Sequence, residues 1–243
     1  MRLDQMLVVR GLAPSRARAQ DLIKRGFVSV GGAVCNKPAL DIESDRAITL
    51  AAEAPGYVSR GAEKLSAALD SFGFDPKDAV ALDVGASTGG FTEVMLQRGA
   101  ARVYAVDVGT GQLHPRLKDD RRVVSLENTD ARSLTQNEIA ERVSAIVVDV
   151  SFISATKVLD AVLKFAAPGA WLVILVKPQF EVGRDNVGRG GIVRDEATRQ
   201  TALATVRDWL SAQTGWTVVG DMPSPILGGS GNVEYLLGAR FDV

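Results

Sequence analysis

The sequence predicts an α/β protein: a mostly parallel sheet covered on both faces by helices, preceded by a small α+β unit. Three observations carry this. From residue 62 onward, short apolar runs alternate with amphipathic stretches, the order that builds a parallel sheet with helical crossovers. One run, Ala79-Val80-Ala81-Leu82, passes through Asp83-Val84-Gly85-Ala86-Ser87-Thr88-Gly89-Gly90-Phe91 into the helical pattern Thr92-Glu93-Val94-Met95-Leu96. A strand, a glycine-rich turn and a helix in that order set backbone N–H groups and a helix N-terminus at the mouth of a sheet. Basic residues also crowd the start: residues 1–40 hold seven basic and two acidic side chains, although the whole chain has a net charge of −1.

The first unit spans 1–52. Leu3, Leu7 and Val8 have helical spacing, and Gly11-Leu12-Ala13-Pro14 turns the chain toward Ser15, an N-cap for a helix over 16–25. That helix buries Ala19, Leu22 and Ile23 and exposes Arg16, Arg18, Gln20, Lys24 and Arg25. Residues 27–30 and 33–35 flank a Gly31-Gly32 turn as a hairpin, and 48–50 adds a short strand. Pro55 and Gly56 mark a linker over 53–59, and the second domain runs 60–243. Helix spacing resumes at Ala62, Leu65, Leu69 and Phe72, with Lys64 beside but off the buried stripe. Strands are then expected at 79–84, 102–107, 122–125, 143–149, 170–176, 216–221 and 233–240. Helices are expected near 90–98, 110–118, 135–141, 155–166 and 195–213. The glycine- and arginine-rich stretch 178–194 reads as a mobile loop beside a site.

Composition narrows the function. A hydrophobic content of 46% and a charged content of 23% describe an ordinary soluble domain. No apolar run nears the ~20 residues of a membrane span, and Met1-Arg2-Leu3-Asp4 has no signal core, so a cytoplasmic protein with no membrane partner is expected. The one cysteine, Cys35, excludes an internal disulfide and a zinc cluster, and no metal is expected. His114, the one histidine, has no partner at metal or triad spacing and suits a helix start. A basic head on an acidic body points to a polyanion met by the N-terminal unit.

In such a sheet, ligands lie outside the carboxyl ends of the strands. Asp107 ends the run Val103–Val106 and suits the two hydroxyls of a ribose; Asp130 follows the third strand. A dinucleotide fingerprint would need glycine at Ser87, and the acid Asp83 would face a pyrophosphate. Asp149 and Lys177 each close a very apolar run, where a charge must reach solvent or find a partner. Phe91 and Phe152 read as packing residues rather than stacking platforms.

The order D-x-G-x-x-x-G-G from Asp83 resembles the first motif of S-adenosylmethionine-dependent methyltransferases. Lys64, Asp149, Lys177 and Glu234, in the strings Ser59–Leu65, Asp149-Val150-Ser151-Phe152, Val176-Lys177-Pro178-Gln179 and Gly231-Asn232-Val233-Glu234, are similar to the Lys-Asp-Lys-Glu tetrad of FtsJ-like ribose 2′-O-methyltransferases. Residues 1–50, through Arg2-Leu3-Asp4 and Ser15-Arg16-x-x-Ala19-x-x-Leu22-Ile23-x-x-Gly26-x-Val28-x-Val30, resemble the RNA-binding domain of ribosomal protein S-four. Together the chain resembles the TlyA family of ribosomal RNA 2′-O-methyltransferases from about residue 2 to 240.

The resemblance implies a Rossmann-like class I sheet with its last strand antiparallel, S-adenosyl-L-methionine as cofactor, and ribosomal RNA or a ribosomal subunit as partner. It implies methylation of a ribose 2′-hydroxyl, with a cytidine as the nucleotide. Lys177 would be the base, Lys64 a second cation steering the ribose or an adjacent phosphate, and Asp149 and Glu234 the carboxylates orienting the lysines. Asp83, Gly85, Ala86, Ser87, Thr88, Gly89, Gly90, Phe91, Asp107 and Asp130 would form the cofactor site, with Asp83 on the methionyl ammonium, directly or through water, and Asp130 on the adenine amino group. Arg2, Arg16, Arg18, Lys24, Arg25, Arg60, Arg184 and Arg189 would meet RNA, the last two on a flap closing over it. Rival readings are a ribosome-assembly module with a vestigial transferase site, a small-molecule or protein methyltransferase, and a membrane-lytic haemolysin.

Overall fold

Contacts divide the chain between Arg60 and Gly61 in the computed structural model, which describes residues 1–52, 54, 56–228 and 231–242, with the Arg184 side chain outside that set. Glu53 and Pro55 of the expected linker therefore lie outside the described residues.

In the first unit, α1 (Leu3–Val9) and α2 (Arg16–Lys24) bury Leu3, Leu7, Leu22 and Ile23. The Ser15 hydroxyl caps α2 by accepting from the Arg18 N–H at 3.2 Å. Strands β1 (Val28–Val30), β2 (Ala33–Val34) and β3 (Ile48–Leu50) form an antiparallel sheet in the order β2-β1-β3. Gly31 and Gly32 both take positive φ, as a two-residue hairpin turn requires.

In the second unit, helix α3 (Gly61–Phe72) precedes an alternation: β4 (Val80–Val84), α4 (Gly90–Gln97), β5 (Arg102–Val106), α5 (Pro115–Lys118), β6 (Val123–Leu126) and β7 (Val143–Val148). It continues with α6 (Ala155–Val162), β8 (Ala166–Val176), α7 (Pro178–Glu181), α8 (Glu196–Ser211), β9 (Trp216–Pro223) and β10 (Tyr235–Phe241). The sheet order is β6-β5-β4-β7-β8-β10-β9, and β10 runs antiparallel to both neighbours while the other pairings are parallel. Strand order therefore reverses between β4 and β7, the crevice where ligands bind in open α/β sheets. Ile146, Leu172, Ile174 and Leu237 are fully buried in the core. Burying such a side chain is worth about 1.5–3 kcal/mol, so these strands hold a rim of charged groups in place.

Three segments differ from the sequence expectation. The helix expected over 110–118 is confined to α5, because Gly111 takes positive φ and Pro115 must begin a helix rather than continue one. His114 caps it, Nδ1 accepting from the Arg116 N–H at 3.2 Å. The helix expected over 135–141 is a single turn: Glu138 accepts from the Thr135 N–H and hydroxyl, but β7 starts at Val143, leaving too little chain for more. The stretch 178–194 carries α7, a 3₁₀ turn at Arg184–Asn186 and a bridge between Gly188 and Ile192. Asn232 clasps it, accepting from the Val193 N–H at 3.0 Å and donating to the Gly191 carbonyl at 2.8 Å.

Candidate active site at the sheet rim

The glycine turn is built by crowding within the protein. A Cβ on Gly85 would overlap the backbone oxygen of Asp149, so glycine lets the ends of β4 and β7 close together. At Gly89, φ is +95° and a Cβ would overlap Leu117 of α5. Ala86, Gly90 and Phe91 are buried, so these residues shape the turn, and Phe91 packs inside rather than facing a ligand. Asp83 is fully buried: Thr92 Oγ1 donates to its Oδ2 at 2.6 Å, while Oδ1 has no hydrogen-bond partner. Burial, with smaller repulsion from Asp149 and Asp107, pushes its carboxyl up to about 7 against the opposing Thr92 bonds. The acid thus lies beneath the turn, with Oδ1 left without a hydrogen-bond partner.

A cleft of about 990 Å³ opens at the switch point, lined by Gly85, Ser87, Asp107, Asp130, Asp149 and Ser151 among others. Asp107 is held in position by two backbone donors, the Ser87 N–H to Oδ2 at 2.8 Å and the Gly109 N–H to Oδ1 at 2.7 Å. Asp130 pairs with Arg132 at 2.6 Å, and that guanidinium holds its carboxyl below the usual range. Thr88 contributes its carbonyl to the His114 N–H at 3.2 Å. Val108, 70% exposed and next to Asp107, and Gln112, which bonds the Ser87 hydroxyl, also line the cleft; their sequence context carried no signal.

The four tetrad residues form two ion pairs joined by strand register. Lys64 Nζ donates to Glu234 Oε2 at 2.5 Å, with side chains 9% and 3% exposed. Lys64 is therefore on the buried side of α3, not off its stripe. Lys177 Nζ lies 2.6 Å from Asp149 Oδ1 and donates to Ser151 Oγ at 2.9 Å. Tyr235 of β10 pairs with Val176 of β8, so the next position outward sets Glu234 opposite Lys177. The antiparallel turn of β10 explains this: its first residues reach the rim where the parallel strands end. Gly228 lies against Glu234, where a Cβ would overlap Oε1.

Phe152 is 91% exposed at φ +66°, so it is not a packing residue; its ring meets that of Phe180 at 5.2 Å. Glu181 accepts from Ser154 Oγ and the Ala155 N–H, and burial raises its carboxyl. Of the basic residues, Arg2 and Arg16 converge on buried Asp4, while Lys24 and Arg25 are exposed. Arg18 is only 4% exposed and bonds Asp21 at 2.7 Å, a correction to its placement on the open face: it stands one turn before buried Leu22. Arg60 lies 3.6 Å from Asp21, and Arg189 is exposed on its turn. The Arg184 side chain lies outside the described residues. Among the described residues, no group of three or more His, Cys, Asp or Glu could hold a metal ion.

A glycine turn and two acids at the switch point, with paired lysines beyond, describe a group-transfer site on a methyltransferase sheet. Residues 57–241 match the FtsJ-like methyltransferase model and residues 1–46 the S4 domain model. The 16S/23S rRNA (cytidine-2′-O)-methyltransferase TlyA of Mycobacterium tuberculosis is 48% identical, covering 98% of this chain and 89% of that protein. Hemolysin A of Brachyspira hyodysenteriae is 40% identical, covering 97% and 98%. A solved structure from Streptococcus thermophilus that bears a hemolysin name is 40% identical with a TM-score of 0.77, covering 99% of this chain and 88% of that one. The chain belongs to the FtsJ-like methyltransferase family, and within it to the TlyA group.

Proposed function

We propose that the protein transfers a methyl group from S-adenosylmethionine to the 2′-hydroxyl of a ribose, a cytidine, in ribosomal RNA. The observation that carries this reading is the pairing of Lys177 with Asp149, which lines the cleft, and of Lys64 with Glu234, the residue that leads into β10. The name of the M. tuberculosis relative supplies the nucleotide and the kind of RNA. Although relatives bear hemolysin names, among the described residues no helix is long and apolar enough to cross a membrane.

The cleft suits the cofactor. Asp107, with its oxygens fixed by Ser87 and Gly109, is placed for ribose hydroxyls, and Asp130 for an adenine amino group. Ser87 and Gly85 line the same wall, while Ala86, Thr88, Gly89, Gly90 and Phe91 set the course of the turn. Asp83 acts from beneath, as a buried carboxyl that supports the turn through Thr92. S-adenosylmethionine supplies a methyl group already activated on a sulfonium. What remains for the protein is to align the acceptor hydroxyl and to take its proton.

Lys177 takes that proton on Nζ as the neutral amine, while Asp149 holds the amine at the cleft. Lys64, bound to Glu234, sets a second cation at the rim, which steers the ribose or an adjacent phosphate. Residues 1–52 form the RNA-binding domain, joined through 53–59 to a transferase domain over 60–243; Arg2, Arg16, Lys24, Arg25, Arg60 and Arg189 supply positive charge toward the RNA. Incubating undermodified ribosomal subunits with radiolabelled cofactor and mapping the product tests the reading. The expected result is 2′-O-methylated cytidine in ribosomal RNA; label on a base, on protein or nowhere would refute it.

A further inference from the structure

The segment 177–181 is fastened to the loop 149–155 at three points. Lys177 reaches Asp149 at 2.6 Å and Ser151 at 2.9 Å. The rings of Phe180 and Phe152 meet at 5.2 Å. Glu181 accepts from Ser154 Oγ at 2.6 Å and from the Ala155 N–H at 2.8 Å, which fixes the far end of the loop. Ser151 therefore sits on a braced loop and lines the cleft.

An alkylammonium has three N–H positions around a nitrogen whose fourth bond goes to carbon. An acceptor off the Cε–Nζ axis holds one N–H and so fixes the rotation of the group about that bond. Ser151 occupies one N–H position of the Lys177 amine; Asp149 Oδ1 lies 2.6 Å away without hydrogen-bond geometry, and the position turned away from both is open. We infer that Ser151 is a positioning residue for methyl transfer: its hydroxyl fixes the rotation of the Lys177 amine, so that the open position faces the acceptor hydroxyl. In the neutral amine one N–H stays on Ser151, and the lone pair fills the open position. The acceptor's proton moves to that lone pair, its oxygen bonds the methyl carbon, and the carbon–sulfur bond breaks with its electron pair left on sulfur. This rests on Lys177 being the base.

The charged groups near the amine are Asp149 after β7, Glu234 across from it before β10, Lys64 of α3 bound to Glu234, and Asp83 buried on β4. All stay in place when Ser151 alone is changed. The test compares Ser151→Ala, Ser151→Thr, Ser151→Val and Lys177→Ala on undermodified ribosomal subunits, with kcat followed against pH and cofactor affinity measured by calorimetry. Removing a hydrogen bond to a charged group lowers kcat by about ten- to a hundredfold in Ser151→Ala, with KM for RNA and cofactor Kd changed less than about twofold. The acid limb of the kcat profile also moves to lower pH, because the ammonium loses an acceptor and releases its proton more readily.

Ser151→Thr restores both rate and limb, whereas Ser151→Val, nearly its equal in shape, restores neither. That matched pair decides the matter if Ser151→Ala fails to bind cofactor. A wild-type rate or an unmoved acid limb in the variants lacking the hydroxyl overturns the inference. Retained turnover in Lys177→Ala instead removes the base assignment itself. An inactive Lys177→Ala beside a normal Ser151→Ala removes only the role given to Ser151.

Discussion

The two lysine–carboxylate pairs on the sheet rim have the same chemistry and differ in access, chiefly at the carboxylate. Lys64 and Glu234 are closed in, with Gly228 against the carboxylate. Lys177 and Asp149 are more open, with 11% and 23% of their side chains exposed, and a hydroxyl shares the amine. A closed pair is held together because separating it would leave a bare charge in a poor solvent. An open pair can exchange partners with an incoming group. The first therefore suits a fixed support, and the second a proton acceptor. The same contrast recurs on α2, where Arg18 is buried on Asp21 and Arg16 is half open on Asp4.

The largest effect is expected at the open pair. Lys177→Ala should lower methyl transfer by about 10²–10⁴-fold, the usual range for a lost general base, with cofactor affinity retained. Radiolabel incorporation and calorimetry on one preparation would show both. At the closed pair the loss should fall on stability: Glu234→Ala should cost about 3–5 kcal/mol in urea unfolding, and more than Lys177→Ala. Equal costs for the two would erase the distinction between them.

Asp83 gives a third, smaller effect. Its folded carboxyl lies at about 7 against an ordinary 3.8, so the native state holds a proton there that the unfolded chain has released. Its contribution to stability is complete below pH 3.8 and is lost as pH rises through about 7. Asp83→Asn should flatten that decline in unfolding experiments between these limits; an unchanged slope would assign it elsewhere. Smallest of all, Arg16→Gln should reduce the salt dependence of RNA binding by about one phosphate contact, while Arg18→Gln lowers stability and leaves that slope unchanged.

Much of this architecture was legible in the residues. Val143–Val148 and Ala170–Val176 are continuous apolar runs because both faces of a central parallel strand are covered, and the charged residues closing them mark the rim. Arg18 was misplaced because a long side chain at the margin of a helical stripe can fold inward to an acid three residues on; its spacing to Leu22 held the clue. Lys64 likewise stands four residues before buried Ala68. Phe152 and Ser151 lie in a loop, where no period orients a side chain, and only the fold reveals one as open to solvent and the other as a partner of Lys177. The stretch 178–194 read as a flap because glycines carry no packing signal, and its clasp comes from Asn232, distant in sequence.

The reversed strand β10 enters the sheet at the rim, and Glu234 is the residue that leads it in. During synthesis, the parallel strands and Lys64 therefore emerge before the acid that neutralises Lys64. Until that strand inserts, Lys64 lacks the partner it has in the finished fold, and the rim is completed together with the closure of the sheet.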